Sequence, residues 1–316
     1  MEKGDPRIEL LGNIKYENVQ VDSHPQIIFF CGGPVPNDVI SCPPFYSARH
    51  FMSHHLSFSS DLKIINAESI KEWNHYAIYP NLIDFELDLA KICKLIVLFV
   101  ESPGSLVELG VFSAKYDIAK KLIVFIQDKF NNKDSFIEHG PVQYLNTLDD
   151  EPDRVYWYEW EFDSDSYLIP QSIEVEKQNI LEDIADKFKR IKSDDISNDS
   201  LSWISLVICD LIYLFKAVII TELKDYLLNF SINLTNKQLN QYLFCLCKLE
   251  LIIERKKSNV SYYLPCVDAR RFLRLPLKSG KLDSVRLGAK VTEFYLKFDG
   301  KRSRVISKVA EEQSEL

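Results

Sequence analysis

No Cys-x-x-Cys pair occurs anywhere in the 316 residues, so no structural zinc site is expected. No stretch approaches the ~18 uninterrupted apolar residues that a membrane helix needs. The opening residues MEKGDPRIEL lack the basic-then-apolar layout of a signal peptide. A cytoplasmic protein with no membrane partner is therefore expected. Internal repeats and low-complexity tracts are also missing, which argues against solenoid and linker-like classes. The seven cysteines are odd in number and sit mostly inside apolar runs such as QIIFFC, so they read as small buried hydrophobes. His54 and His55 are adjacent rather than four apart and cannot share a helix face as a metal pair. No metal is assigned.

What is present is ordinary globular material, 46% hydrophobic and 27% charged, in a chain long enough for two modest domains. The net charge of −8 conceals an asymmetry, because residues 251–308 hold 15 Lys/Arg against 5 Asp/Glu. Polyanion binding is the simplest physical use of such a segment.

The first half alternates buried apolar runs with amphipathic stretches. QIIFFCGG (26–33), KLIVLFVE (94–101) and KLIVFIQ (121–127) read as central strands, and DLKIINAES as a weaker one. Strands this continuously apolar are covered on both faces, which gives a doubly wound α/β domain with a parallel sheet. The aromatic and acidic stretch 149–171 reads as an edge strand. Residues 172–192 form a charged amphipathic helix, and SDDISNDS (193–200) a polar linker. The expected division is a catalytic domain over 1–170, a connecting helix and linker over 171–200, and a second domain over 201–316.

That second domain reads as three helices and then a hairpin with a basic tip, the order of a winged helix-turn-helix. Thr235 is the natural N-cap of the third helix and places Lys237 at its exposed start. Lys237, Arg255, Lys256, Lys257, Arg270, Arg271 and Arg274 are the candidate nucleic-acid contacts. Dimerisation is the alternative use of so small a helical domain.

The segment LIVLFVESPGSLVELGVFS (95–113) carries the chemistry: a buried strand, a Pro-Gly turn, then a helix start. Ligands of open α/β sheets bind at the carboxyl ends of strands, where helix N-termini offer N–H groups to phosphate. Ser102, Gly104 and Ser105 are placed to cradle a phosphate or a ribose hydroxyl. Glu108, one turn into the helix, can act as nucleophile or stabilise an oxocarbenium-like centre. Its bland alternative is an acid that complements the helix dipole.

VESPGSLVELGVFS resembles the catalytic segment of the nucleoside 2-deoxyribosyltransferase-like superfamily, and more closely that of the deoxyribosyltransferase-like effectors encoded beside bacterial retrons. The same resemblance runs in order through FFCGG (29–33), SARH (47–50), Glu86, LIVFIQD (122–128) and SFIEHGPV (135–142), about 120 residues in all. It implies a deoxyribosyltransferase-like domain followed by a winged-helix domain. Glu108 would be the catalytic glutamate, Glu101 a second active-site carboxylate, and Glu86 a residue that binds the base or tunes Glu108. The plain alternatives are a solvated strand-end acid for Glu101 and a surface acid for Glu86. Gly32 and Gly33 would admit a ligand close to the backbone. Arg49 would meet a phosphate or make an ion pair, and Gly140, beside His139 and Pro141, would close one wall. The insertion 34–47 departs from the family pattern and reads equally as a lid or a docking loop.

The function implied is that of a toxic effector in a retron anti-phage system, hydrolysing an N-glycosidic bond of a nucleotide, NAD in the leading case. NAD is then the substrate, and no cofactor is expected. The implied partners are the retron reverse transcriptase and its branched multicopy single-stranded DNA (an RNA–DNA hybrid), with a homo-oligomer or higher assembly as a further possibility. A deoxyribosyltransferase or nucleotide hydrolase of other substrates is the second enzyme reading. A nucleotide-sensing winged-helix transcription regulator is the non-enzymatic one.

Overall fold

The computed structural model describes residues 4–36, 44–56, 62–66, 78–150, 153–192 and 200–314. Half of the insertion, residues 37–43, lies outside the described residues. Two compact units divide the chain, one over Pro25–Lys192 and one formed by Met1–His24 together with Ser193–Leu316.

The chain begins in the second of these. Asp5 caps helix α1 (Pro6–Asn13) by accepting from the Arg7 N–H, and Pro6 supplies a pre-set first turn. Strand β1 (Gln20–Val21) follows.

The α/β unit contains β2 (Ile27–Cys31), α2 (Ala48–His55), β3 (Lys63–Asn66), α3 (Leu82–Ile92), β4 (Leu95–Val100), α4 (Pro103–Ser113), α5 (Tyr116–Ala119), β5 (Leu122–Gln127), α6 (Gln143–Thr147), β6 (Val155–Tyr158), α7 (Pro170–Glu174) and α8 (Lys177–Arg190). The five strands form one parallel sheet in the order β3-β2-β4-β5-β6. Every residue of β2, β4 and β5 is buried, as their unbroken apolar runs require. Phe30, Val97, Phe99 and Phe125 pack on one face against Phe51 and Met52 of α2 and Ile180 and Ile184 of α8. Phe29 meets Phe112 of α4 on the other. The order reverses between β2 and β4, and the crevice outside their carboxyl ends is where such sheets take ligands.

The units divide the chain differently from the boundaries expected from sequence. Residues 171–192 belong to the α/β unit, because Ile180, Ile184 and Lys187 put one buried face of α8 onto the sheet side. Residues 4–24 belong to the other unit.

That unit continues through α9 (Leu201–Phe215), α10 (Ile220–Leu228), α11 (Asn236–Lys248), β7 (Ile252–Lys257), β8 (Val260–Pro265), β9 (Leu273–Arg274), α12 (Ser284–Phe298) and α13 (Gly300–Ser314). β1 pairs antiparallel with β9. Glu222 of α10 accepts from Arg7 Nη1 at 2.9 Å and from Arg302 Nη1 at 2.8 Å, and both guanidiniums lie against the Tyr295 ring. This network ties α1 to α10, α12 and α13. Buried Asp210 of α9 accepts from the N–H groups of Phe272 at 2.6 Å and Leu273 at 3.3 Å, and from Arg271 Nε at 3.3 Å. Burial pushes its pKa up to about 6, against the pull of those donors and the Arg271 charge. Thr235 and Gln238 close a reciprocal capping box at the start of α11. The β7–β8 hairpin turns through Ser258 and Asn259, both at positive φ, as a tight two-residue connection demands. Among the described residues no helix is long and apolar enough to cross a membrane.

Candidate active site

Glu101 follows β4 and points back into the crevice. Its Oε1 accepts from the backbone N–H groups of Gly33 and Arg49, each at 3.2 Å, and its Oε2 accepts from Ala48 N–H at 2.8 Å. The carboxylate thus joins the ends of β2 and β4 to the first turn of α2. It is a buried brace rather than a solvated acid. Burial pushes its pKa up to about 7, while the backbone donors and the Arg49 charge pull the other way.

The two glycines are explained by the same packing. Gly32 sits at φ +133, and a Cβ there would lie 2.9 Å from the Phe99 Cβ and collide with its carbonyl oxygen. A Cβ on Gly33 would meet the Glu101 carboxyl group and come within 2.7 Å of the Ser47 Cβ. The close approach that the glycines permit is therefore filled by protein atoms of β4 and α2. Ser47 caps α2 by accepting from His50 N–H at 2.9 Å and donates to Pro34 O at 2.8 Å. Arg49 is 1% exposed, and its Nη1 donates to Gly32 O at 3.3 Å.

At the start of α4 a second capping box forms between Ser102 and Ser105. The buried Ser105 hydroxyl also accepts from the N–H groups of Glu101 and Ser102, both at 3.0 Å. Ser105 is consumed in shaping the turn. Gly104 faces open space, where a Cβ would meet only Ser102 Oγ, at 3.8 Å.

Pro103 is the first residue of α4, so Glu108 lies in the second turn, beyond the positions where an acid complements the dipole most. It shares a helix face with Ser105 and Phe112, half-buried, with its Oε2 shielded from solvent. Exposed Val107 marks the solvent side. Glu86 is half-buried on α3. Gly140 lies in a π-helical turn over Glu138–Val142, where a Cβ would stand 3.2 Å from the Phe136 ring. The structure thus brings Gly32, Gly33, Arg49, Glu101, Ser102 and Ser105 into one contact set at the switch point, and Glu108 follows one helical row away.

Two features escape a reading of the sequence alone. His50 and His54 are four apart on α2, with their Nε2 atoms 3.3 Å apart. His50 Nδ1 accepts from Tyr46 N–H, and burial, then His54 and Arg49, push its pKa down to about 4. His50 is therefore neutral near pH 7, and among the described residues no group of three or more His, Cys, Asp or Glu gathers to hold a metal. The second is Lys129, just after β5, whose Nζ reaches Glu101 O at 3.3 Å. Its signal was its place at a strand end on the same edge as Glu101.

In the other unit the seven basic candidates divide. Arg271 is committed to Asp210, Arg274 pairs with Asp22 at 3.3 Å, and Arg255 pairs with Glu312 at 2.9 Å. Lys256 lies 4.0 Å from Glu254 on the exposed hairpin. Lys237 and Arg270 are exposed, and Lys257 is half-buried.

A family model described as STM3845 retron effector protein matches residues 46–255, from the start of α2 to β7. The Escherichia coli protein named "Retron Ec86 putative ribosyltransferase/DNA-binding protein" is 38% identical over 124 residues, 37% of this chain and 36% of that protein. Its Ec73 namesake, also from Escherichia coli, is 29% identical over 143 residues, 44% of this chain and 40% of that protein. The matches span well under half the length of either relative.

Proposed function

The chain belongs to the STM3845 retron effector protein family, and on that basis we propose that it is the toxic effector of a retron anti-phage system whose α/β unit hydrolyses an N-glycosidic bond of a nucleotide. The leading substrate is NAD, which water converts to nicotinamide, ADP-ribose and a proton. One observation carries this reading: Glu108 holds a half-buried carboxyl group on α4, the helix that follows β4 at the switch point of the sheet, where the buried Glu101 ties the ends of β2 and β4 to α2. The names of the two relatives, which include ribosyltransferase, favour chemistry at a ribose carbon.

Nicotinamide is cationic in NAD and leaves as a neutral base. A carboxylate that stabilises the developing oxocarbenium ion therefore lowers the barrier without a strong general acid. Glu108 supplies that charge. Glu101 acts as a positioning residue, since its oxygens are taken by three backbone donors, and Arg49 holds Gly32 and hence the end of β2. A ribosyltransferase name also favours a second reading, transfer of a ribosyl or deoxyribosyl group to an acceptor base. Chromatography of the products from a panel of NAD, nucleoside monophosphates and deoxynucleosides separates the two. Free nicotinamide with equal ADP-ribose supports hydrolysis, and exchange of bases without free sugar overturns it.

In the second unit, the helices α9, α10 and α11 precede the β7–β8 hairpin, and Val218 makes a single antiparallel bridge to Tyr263 of β8. This arrangement supports a winged helix with α11 as the recognition helix and Lys237 at its exposed start. The relatives' names include DNA-binding. The partner in this reading is the branched RNA–DNA hybrid of the retron with its reverse transcriptase, which restrains the glycosidase until infection.

A further inference from the structure

We propose that Lys129 is the cation that receives a phosphate of the nucleotide substrate, so that the site selects phosphorylated nucleotides over nucleosides; this rests on the N-glycosidase reading of the same crevice. Two of the side chains that the sequence offers for a phosphate are spent within the fold. Arg49 is buried with its guanidinium on Gly32 O, and the Ser105 hydroxyl serves the Glu101 and Ser102 amides. Lys129 is placed otherwise. It follows β5 by two residues at the carboxyl end of the sheet, is exposed, and sends its ammonium across to the end of β4, 3.3 Å from Glu101 O.

The side chain is also held in place. Its Nζ lies 4.9 Å from the centroid of the Phe130 ring and 5.5 Å from that of Phe162. Phe162 belongs to a segment fixed beside β5, because Gln127 Nε2 donates to Trp160 O at 2.7 Å and Phe162 pairs with Leu168. A lysine ordinarily loses much rotamer freedom on binding a ligand, and one already flanked by two rings has less to lose. An ammonium has three donors, and one serves Glu101 O, which leaves two for another acceptor. No ion pair among the described residues involves Lys129, so no carboxylate neutralises it there. A positive charge held at the carboxyl end of the sheet, without a carboxylate partner among the described residues, matches a phosphate oxygen, which a compact ammonium binds as a point charge.

The test is calorimetric binding to Glu108→Gln protein, which separates binding from turnover. The probes are NAD, nicotinamide mononucleotide and deoxyadenosine monophosphate, with nicotinamide riboside and deoxyadenosine as their unphosphorylated counterparts. Lys129→Met keeps an apolar stem between the two rings, and Lys129→Arg keeps the charge. The expected result is that the preference for phosphorylated over unphosphorylated probe falls about 10- to 100-fold in Lys129→Met, the weight of one charge-assisted hydrogen bond, and is restored by Lys129→Arg. Unchanged melting temperatures of both variants would show that the loss is local. Equal preference in Lys129→Met and in the parent overturns the proposal, as does the failure of every phosphorylated probe to bind. Lys129-dependent binding in a protein whose wild type releases no base from any probe leaves the proposal standing and sinks the glycosidase reading instead.

Discussion

Gly33→Ala is the sharpest perturbation of the brace around Glu101. The backbone of Gly33 is outside the left-handed region, so alanine meets no conformational objection and only space decides the outcome. The new methyl group would overlap the Glu101 carboxyl group and stand 2.7 Å from the Ser47 Cβ, atoms fixed on two different elements. Overpacking of this kind costs about 1–3 kcal/mol. If the carboxylate swings away instead, it gives up donors from Gly33, Ala48 and Arg49, and each hydrogen bond to a charged group contributes roughly 1.5–3 kcal/mol. The smaller route sets the result, and a loss of about 1–3 kcal/mol is expected. Urea unfolding followed by tryptophan fluorescence measures it, with Trp203→Phe in both proteins so that the three remaining tryptophans, Trp73, Trp157 and Trp160, all belong to Pro25–Lys192. Gly104→Ala is the control: its methyl group meets only Ser102 Oγ at 3.8 Å, and alanine in the first turn of α4 gains up to about 1 kcal/mol. A Gly33→Ala protein within about 0.5 kcal/mol of its parent would refute the packing argument.

Other consequences concern the second unit. Asp210→Ala strands two buried N–H donors and removes the partner of Arg271, so a loss of about 2–4 kcal/mol in the urea unfolding of that unit is expected, and an unchanged midpoint would contradict the contact set. Lys256→Ala removes an exposed charge from the hairpin and is expected to lower the slope of log affinity against log salt for a branched RNA–DNA probe by about 1, with no change in stability. A salt-independent affinity would point to a protein-only interface.

The sheet was legible because β2, β4 and β5 are buried on both faces and so read as unbroken apolar runs, and the start of α11 was legible because Thr235 and Gln238 mark it by a local capping pattern. The placement of residues 4–24 was not legible. It depends on a two-residue pairing of β1 with β9 and on Arg7 reaching Glu222, contacts that leave no local trace in the sequence. Site membership followed the same division. Gly33, Arg49 and Glu101 were identifiable as neighbours of a strand-end crevice, but whether each faces ligand or core depends on where the first turn of α2 docks on β4. Once it docks there, its amides occupy the Glu101 carboxylate, and Arg49 is covered. Basic residues divided for the same reason, since Arg271 belongs to a buried carboxylate on a helix 61 positions away, a distance no charge count registers.

The central claim is that the Glu108 carboxylate performs the bond cleavage and that Glu101 only braces the strand ends and the first turn of α2 beside it. Nicotinamide release from NAD by the full chain, Glu108→Gln and Glu101→Gln, each with its urea midpoint, tests both halves at once. The account predicts that Glu108→Gln keeps the wild-type midpoint and loses at least ~100-fold in rate, on the order expected for removing an electrostatic stabiliser, while Glu101→Gln loses stability together with activity. Equal turnover by wild type and Glu108→Gln would contradict it.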